Sequence, residues 1–181
     1  MDGSKLTKDS ILKNNTRNKI FKYILKNPGA HLREIRDKLN LSPHQAAYHL
    51  IRLEQFNFIR KTRINYKVAY FNSKINPKFD KSIFAIKDEI NFKILKYVLL
   101  EPDIKLDNLV KKVQLKLRKV KKIIFNLKES DLIDEIIEHG QIKYRANKKN
   151  FDSVLKILKF LELDTTISNP NDKSGPAAYK N

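Results

Sequence analysis

The sequence predicts a mainly α chain with small β-hairpins, an α+β architecture in which one structural plan occurs twice and a final helix closes the chain. Three observations carry that expectation. The chain aligns with itself, without a gap, at a shift of 74 positions; its apolar residues follow helical spacing through most of each copy; and only 4 Gly and 6 Pro punctuate its 181 residues. So little turn chemistry argues against an all-β fold. Apolar side chains, at 41 % of the chain, suffice to build a core.

The self-match is specific at apolar positions. Ile20 falls on Ile94, Tyr23 on Tyr97, Ile24 on Val98 and Pro28 on Pro102. Leu32, Ile35, Leu39 and Leu41 fall on Leu106, Leu109, Val113 and Leu115. Leu50, Leu53, Ile59 and Tyr70 meet Ile124, Leu127, Ile133 and Tyr144. Two copies of one fold account for this most economically.

Within the first copy, Thr16, Ile20, Tyr23 and Ile24 space as an amphipathic helix that stops at Asn27-Pro28-Gly29. Leu32, Ile35, Arg36 and Leu39 mark a second, short helix, ended by a turn at Asn40-Leu41. Ser42-Pro43 opens a third: serine offers a capping oxygen, and proline at the first helical position loses no hydrogen bond. Ala46, Leu50 and Leu53 form its buried stripe. Residues 58–63 and 67–71, rich in β-branched and aromatic side chains, are two strands around a tip at Ile64-Asn65-Tyr66. Helix, helix, turn, helix, strand, wing, strand is the order of a winged helix-turn-helix.

The second copy repeats it with helices near 87–100, 106–113 and 116–129 and a hairpin over 132–147 around His139-Gly140-Gln141. The expected division is an N-terminal extension (1–15), a first winged helix (16–74), a linker containing Asn76-Pro77 (75–86), a second winged helix (87–149) and a C-terminal helix (150–163). Phe151, Val154, Leu155, Leu158 and Leu161 stripe that last helix, and Ile157, Phe160 and Leu163 widen its apolar face. Residues 164–181 lack periodicity and are expected to be disordered.

Charge narrows the function. Lys and Arg number 38 against 20 Asp and Glu, a formal net charge of +18, which makes a nucleic acid the first partner to consider. The excess is steepest over 1–76, smaller over 77–149 and nil over 150–181. The chain has no cysteine, so disulfides and cysteine-ligated metals are excluded. No apolar run reaches the ~20 residues of a membrane span, and the polar start, with Asp2 and Asp9, resembles no signal peptide. A soluble, cytoplasmic protein without membrane association is expected.

Catalysis finds no support. His31, His44, His49 and His139 lack ligand spacing, glycines at 3, 29, 140 and 175 cannot build a phosphate loop, and no nucleophile elbow is present. No enzymatic activity, cofactor or metal is expected.

The stretch HLREIRDKLNLSPHQAAYHLIRLEQFNFIRKTRINYKVAYF carries a second helix, a Leu-Ser turn, a third helix ending in His-Leu-x-x-Leu, and a Phe-Ile entry to the wing. Over residues 16–72 it resembles the winged-helix domains of archaeal and bacterial transcription regulators of the ArsR and MarR type; residues 87–147 match more weakly. Two such units and a closing helix resemble tandem regulators of archaea, some of which control motility genes. The resemblance implies binding to double-stranded promoter DNA. It does not extend to ArsR metal sensing, because the cysteines are absent.

A helix-turn-helix sets its last helix in the major groove. Opposite the core stripe, the third helix presents Ser42, His44, Gln45, Tyr48, His49 and Arg52. Gln can pair with adenine and Arg with guanine. The wing offers Arg60, Lys61, Arg63, Tyr66 and Lys67 for phosphates or the minor groove. The second copy instead carries Lys116, Arg118, Lys119, Lys121 and Lys122, suited to phosphate neutralisation and poor at reading bases. Asp134, Glu135 and Glu138 on its hairpin would repel a backbone. The first copy is thus expected to read sequence and the second to add affinity or hold a partner. A homodimer through the C-terminal helix and a partner in the transcription machinery are further expectations. Two alternatives remain open: a winged-helix protein-interaction scaffold, and a protein that coats nucleic acid without regard to sequence.

Overall fold

A computed structural model of the protein describes residues 10–167, with side chains through residue 159. Eight α-helices and six short strands follow one another in the described residues. A single 3-10 turn at Ile11–Lys13 leads into α1 (Asn15–Lys26), β1 (Ala30–His31), α2 (Leu32–Leu39), α3 (Pro43–Gln55), β2 (Ile59–Ile64) and β3 (Lys67–Asn72). A second 3-10 turn at Pro77–Phe79 precedes α4 (Asp80–Ile86). Then come α5 (Glu89–Leu100), β4 (Ile104–Lys105), α6 (Leu106–Val113), α7 (Leu117–Lys128), β5 (Ile133–Glu138), β6 (Gln141–Ala146) and α8 (Lys148–Ile167).

The 74-residue shift seen in the sequence recurs in the backbone. Each of α1, β1, α2, β2 and β3 reappears 74 positions later with the same length, and α3 reappears one residue shorter as α7. The two sheets share one topology, β1-β3-β2 and β4-β6-β5, all antiparallel. Strained positions repeat as well. Asn40 and Gln114 close the second helix of each copy in the left-handed region, Asn57 and Asp131 enter the hairpins there, and Asn65 and His139 turn them. Gly29 (φ 81°) matches Asp103 (φ 65°). Asp103 accepts the strain that glycine avoids, and its carboxylate is gripped by Arg145 at 2.8 and 2.7 Å.

Caps set the helix starts. The Asn14 side chain accepts from the Arg17 amide, that of Asp88 from Ile90 and Asn91, and Ser42 forms a reciprocal capping box with Gln45. The two hairpins close with two-residue loops, Ile64 pairing Lys67 and Glu138 pairing Gln141. In the second, His139 and Gly140 both have positive φ, as a type I′ turn requires.

The cores follow the expected stripes. Ile20, Ile24, Ile35, Leu50, Leu53 and Ile59 form one cluster, and Ile94, Val98, Leu109, Ile124, Leu127 and Ile133 are their counterparts in another. A third cluster was not anticipated. It joins Leu25, Phe71 and Ile75 to Ile83 of α4 and Val154 of α8.

The segment expected to be a linker is therefore part of the fold. Residues 75–86 contain α4, whose Asp80, Ser82, Ile83 and Ala85 are buried. Ser82 Oγ donates to the Ser130 carbonyl at 2.7 Å, and Asn150 Nδ2 donates to the Asp131 carbonyl at 3.0 Å, so α4 and α8 tie the halves together. Packing also starts earlier than residue 16, since Ile11 is fully buried.

The final helix runs to Ile167, past the expected end at residue 163. Its Val154, Ile157 and Leu158 pack on the third cluster, while Phe151 packs on the second half. Phe160, Leu161 and Leu163 lie beyond the described side chains, and the expected tail from 168 onward lies outside the described residues. No helix among the described residues is long and apolar enough to cross a membrane.

Candidate nucleic-acid interface

The first copy presents the α2-turn-α3 unit on one side and the β2–β3 hairpin beside it. Ala46, Leu50 and Leu53 bury one face of α3 against α1 and α2. The other face carries Ser42, His44, Gln45 and Tyr48, all exposed. Arg52 is half-buried; its guanidinium lies 5.4 Å from the Tyr48 ring centroid and donates to Gln55 Oε1 at 3.1 Å. Ile51, 53 % exposed, completes this face and was not anticipated. It stands three residues after Tyr48 and seven after His44, a spacing from which it was readable.

Gln45 is more constrained than its spacing suggested. Its Oε1 accepts the Ser42 amide at 3.1 Å, while its own amide donates to Ser42 Oγ at 3.2 Å. The side chain thus caps the helix, leaving Nε2 free to donate outward.

His49 does not join the exposed face. It lies three residues after Ala46 and four before Leu53, on the flank of the core stripe, and its Nδ1 is buried without a partner. Arg17 of α1 faces it, 7 % exposed, with Nε and Nη1 also unpartnered. Burial, and after it the Arg17 charge, lower the His49 pKa from its ordinary value. His49 is neutral in the fold and more basic in the unfolded chain. Its contribution to stability is therefore present above the ordinary histidine pKa and is lost as pH falls through it. We expect stability toward urea to drop between about pH 7 and pH 5, and His49→Gln to flatten that drop. Parallel pH profiles of the two proteins would remove this role from His49.

The wing divides in the same way. Arg63, Tyr66 and Lys67 are exposed, Tyr66 at 98 %. Lys61 is exposed but donates to Glu54 at 3.0 Å, and that bond raises its pKa. Arg60 is withdrawn from any interface. Its guanidinium forks onto the Asp80 carboxylate, with Nη2–Oδ1 at 2.6 Å, donates to the Ile75 carbonyl at 2.9 Å, and lies over the Phe71 ring. Alternation along β2 turns Arg60 to the α4 side and leaves Lys61 and Arg63 outward.

On the second copy, Lys116, Arg118, Lys119, Lys121 and Lys122 are all exposed, and none makes an ion pair among the described residues. The neighbouring cations differ: Lys112 pairs with Glu101, Lys128 with Glu135, Lys143 with Glu138 and Arg145 with Asp103. Three of the hairpin and turn carboxylates are thereby engaged, while Asp134 stays exposed. The unpaired block on α7 is a concentrated positive surface.

Comparison with known proteins fits this geometry. Residues 14–83 match the family model HTH_HVO_0163_N, described as an N-terminal HTH domain. Over 154 residues the chain is 29 % identical to a protein of Methanocaldococcus jannaschii named as an uncharacterized HTH-type transcriptional regulator. The match takes in 85 % of this chain and 38 % of that protein, so this chain spans well under half of its relative's length. Among solved structures, an ArsR-like transcriptional regulator from Rhodococcus sp. RHA1 aligns with 50 % of this chain and 84 % of its own, at 17 % identity and a TM-score of 0.44. ScpB from Mycobacterium tuberculosis aligns with 83 % of this chain and 98 % of its own, at 9 % identity and a TM-score of 0.33. With its three helices, left-handed turn at Asn40 and β-hairpin wing, the segment 14–83 has the architecture of a winged helix-turn-helix and is similar to the matched N-terminal HTH family.

Proposed function

We propose that the protein is a transcription regulator that binds double-stranded promoter DNA in a sequence-dependent way, its first winged helix reading the major groove. The observation that carries this reading is the capped, outward face of α3, where His44, Gln45, Tyr48, Ile51 and Arg52 stand beside a wing bearing Arg63, Tyr66 and Lys67. The face holds hydrogen-bonding groups for base edges and one aliphatic side chain for a thymine methyl. The name of the M. jannaschii relative points the same way. In this reading the chain comprises two winged-helix units joined through α4 and closed by α8, and the bare cations of α7 add phosphate affinity. Arg60 and His49 leave the expected contact set, and Lys61 contributes only by releasing Glu54.

A scaffold that binds protein would present a mixed-charge or apolar face, and a coating protein would not need the base-reading groups of α3. The dimer expectation narrows: Val154, Ile157 and Leu158 are committed within the chain and are not available to a homodimer through α8. In such a dimer half-site centres would lie ~34 Å apart or a multiple of it.

The test is titration against duplex upstream regions of the source genome, with a random duplex as competitor, at two salt concentrations. One region preferred by roughly 10³-fold or more supports the regulator. Equal, salt-labile binding of all duplexes supports the coating reading, and no binding at low salt supports the scaffold. Gln45 offers a sharper check because its two roles separate. Gln45→Glu keeps an acceptor for the capping box yet cannot donate to a base. We expect it to retain stability, to weaken both duplexes through the added charge, and to lose a further ~1–3 kcal/mol on the preferred site alone. Equal losses on both duplexes would remove Gln45 from base readout.

A further inference from the structure

Between the first hairpin and the second half of the chain lies a cleft of about 470 Å³, within the range of small-molecule sites. One wall is the hairpin, with Arg63 and Lys67; the floor is α4, with Lys81 and Phe84; the far wall is α7, with Phe125 and Asn126. Arg63, Lys67 and Lys81 are exposed, and none has an ion pair or side-chain hydrogen bond among the described residues. The carboxylates facing the cleft do not neutralise them. Glu34 is held by Lys87 at 2.6 Å and by the Tyr23 hydroxyl at 3.0 Å, and Asp88 accepts the first amides of α5. Only Glu129 remains uncommitted among the described residues. Phe125 is 61 % exposed on a helix whose other outward residues are chiefly Lys and Arg.

We propose that this cleft binds a small phosphorylated ligand bearing a flat ring, of the nucleoside monophosphate class. The phosphate takes charge-assisted hydrogen bonds from Arg63, Lys67 and Lys81, a fork and two ammonium groups offered by the hairpin and α4. The ring lies on Phe125, removing from water an aromatic surface that the fold leaves bare. Asn126 and Glu129 supply polar contacts for sugar hydroxyls or exocyclic amines. Because Arg63 and Lys67 also belong to the wing, an occupied cleft competes for the cations offered to DNA, and by reciprocity DNA weakens the ligand. This last consequence rests on the proposed function; the binding itself does not.

Calorimetry on the full chain tests it, with adenosine 5′-monophosphate, pyrophosphate and adenosine as probes. The monophosphate is expected to saturate at one per chain and to bind more tightly than either other probe. Lys81→Ala should weaken it by about tenfold or more, and Phe125→Ala should weaken it similarly while leaving pyrophosphate unchanged. Both side chains are exposed and outside the proposed DNA contacts, and an unchanged unfolding midpoint verifies each variant. No saturable binding of any probe up to about 5 mM overturns the proposal, as does binding indifferent to both substitutions. Pyrophosphate binding as tightly as the monophosphate, untouched by Phe125→Ala, overturns the ring's part in it. Ligand binding without any duplex binding would instead overturn the regulator reading and leave this site standing.

Discussion

Replacing Asp80 by Asn is expected to destabilise the fold by about 3–5 kcal/mol, the cost of leaving one member of a buried ion pair alone. Asp80 is 1 % exposed, and its two oxygens take bonds from both terminal nitrogens of Arg60 and from the Thr62 hydroxyl, the last at 2.6 Å. The amide would turn one acceptor into a donor facing the Arg60 guanidinium, itself largely buried over Phe71. Water cannot compensate there as it does at an exposed pair such as Lys61–Glu54, whose loss is expected to leave the unfolding midpoint nearly unchanged. Urea unfolding at neutral pH measures both. A loss below ~1 kcal/mol for Asp80→Asn would mean that the pair contributes little to the packing of α4 on the hairpin. Because Arg60 also bonds the Ile75 carbonyl, the variant should loosen the chain between the two halves first.

That pair also shows where sequence reasoning stops. Burial leaves a periodic trace, so the stripe Ala46, Leu50, Leu53 and its counterparts 74 residues on were legible, and with them the order of helices and hairpins. Tertiary pairing leaves none. Arg60 reads as one more wing cation until Asp80, twenty positions away, is seen to claim it. Asn76-Pro77 reads as a linker, although Phe79, Ile83, Phe84 and Ile86 already space as a short apolar face; the helix lasts only seven residues, too few for periodicity to outweigh the proline. His49 was misplaced for another reason. Its polarity suggested the outer face, whereas its position between Ala46 and Leu53 placed it against α1. The two-residue strands β1 and β4 were invisible because pairing with the hairpin, rather than their own residues, defines them.

The largest functional effect is expected from α7. Exchanging Lys116, Arg118, Lys119, Lys121 and Lys122 together for Gln should lower affinity for any duplex by on the order of 10³-fold at 50 mM salt and flatten the salt slope by up to ~4.5 units, at ~0.9 for each phosphate left without its cation. Glutamine keeps helix propensity close to that of lysine, and all five side chains are exposed and unpaired, so the fold should be unaffected. The comparison with the first copy makes the expectation specific. There, Arg60 is spent on Asp80 and Lys61 on Glu54, which leaves Arg63 and Lys67 as the wing's free cations. The second copy engages its hairpin cations Lys143 and Arg145 instead, and on α7 pairs Lys128 while leaving the five cations at its start unpaired among the described residues. In the proposed function, labour divides according to which charges the fold has already neutralised, with base contacts assigned to α3 and counterion release to α7. Lys121→Ala alone should flatten the slope by about one unit and reduce binding to preferred and random duplexes alike. A full slope in the fivefold variant would place α7 away from the phosphates and leave its charge to a protein partner, whereas a flattened slope with site preference retained would mean that the two helices bind one duplex with separate tasks.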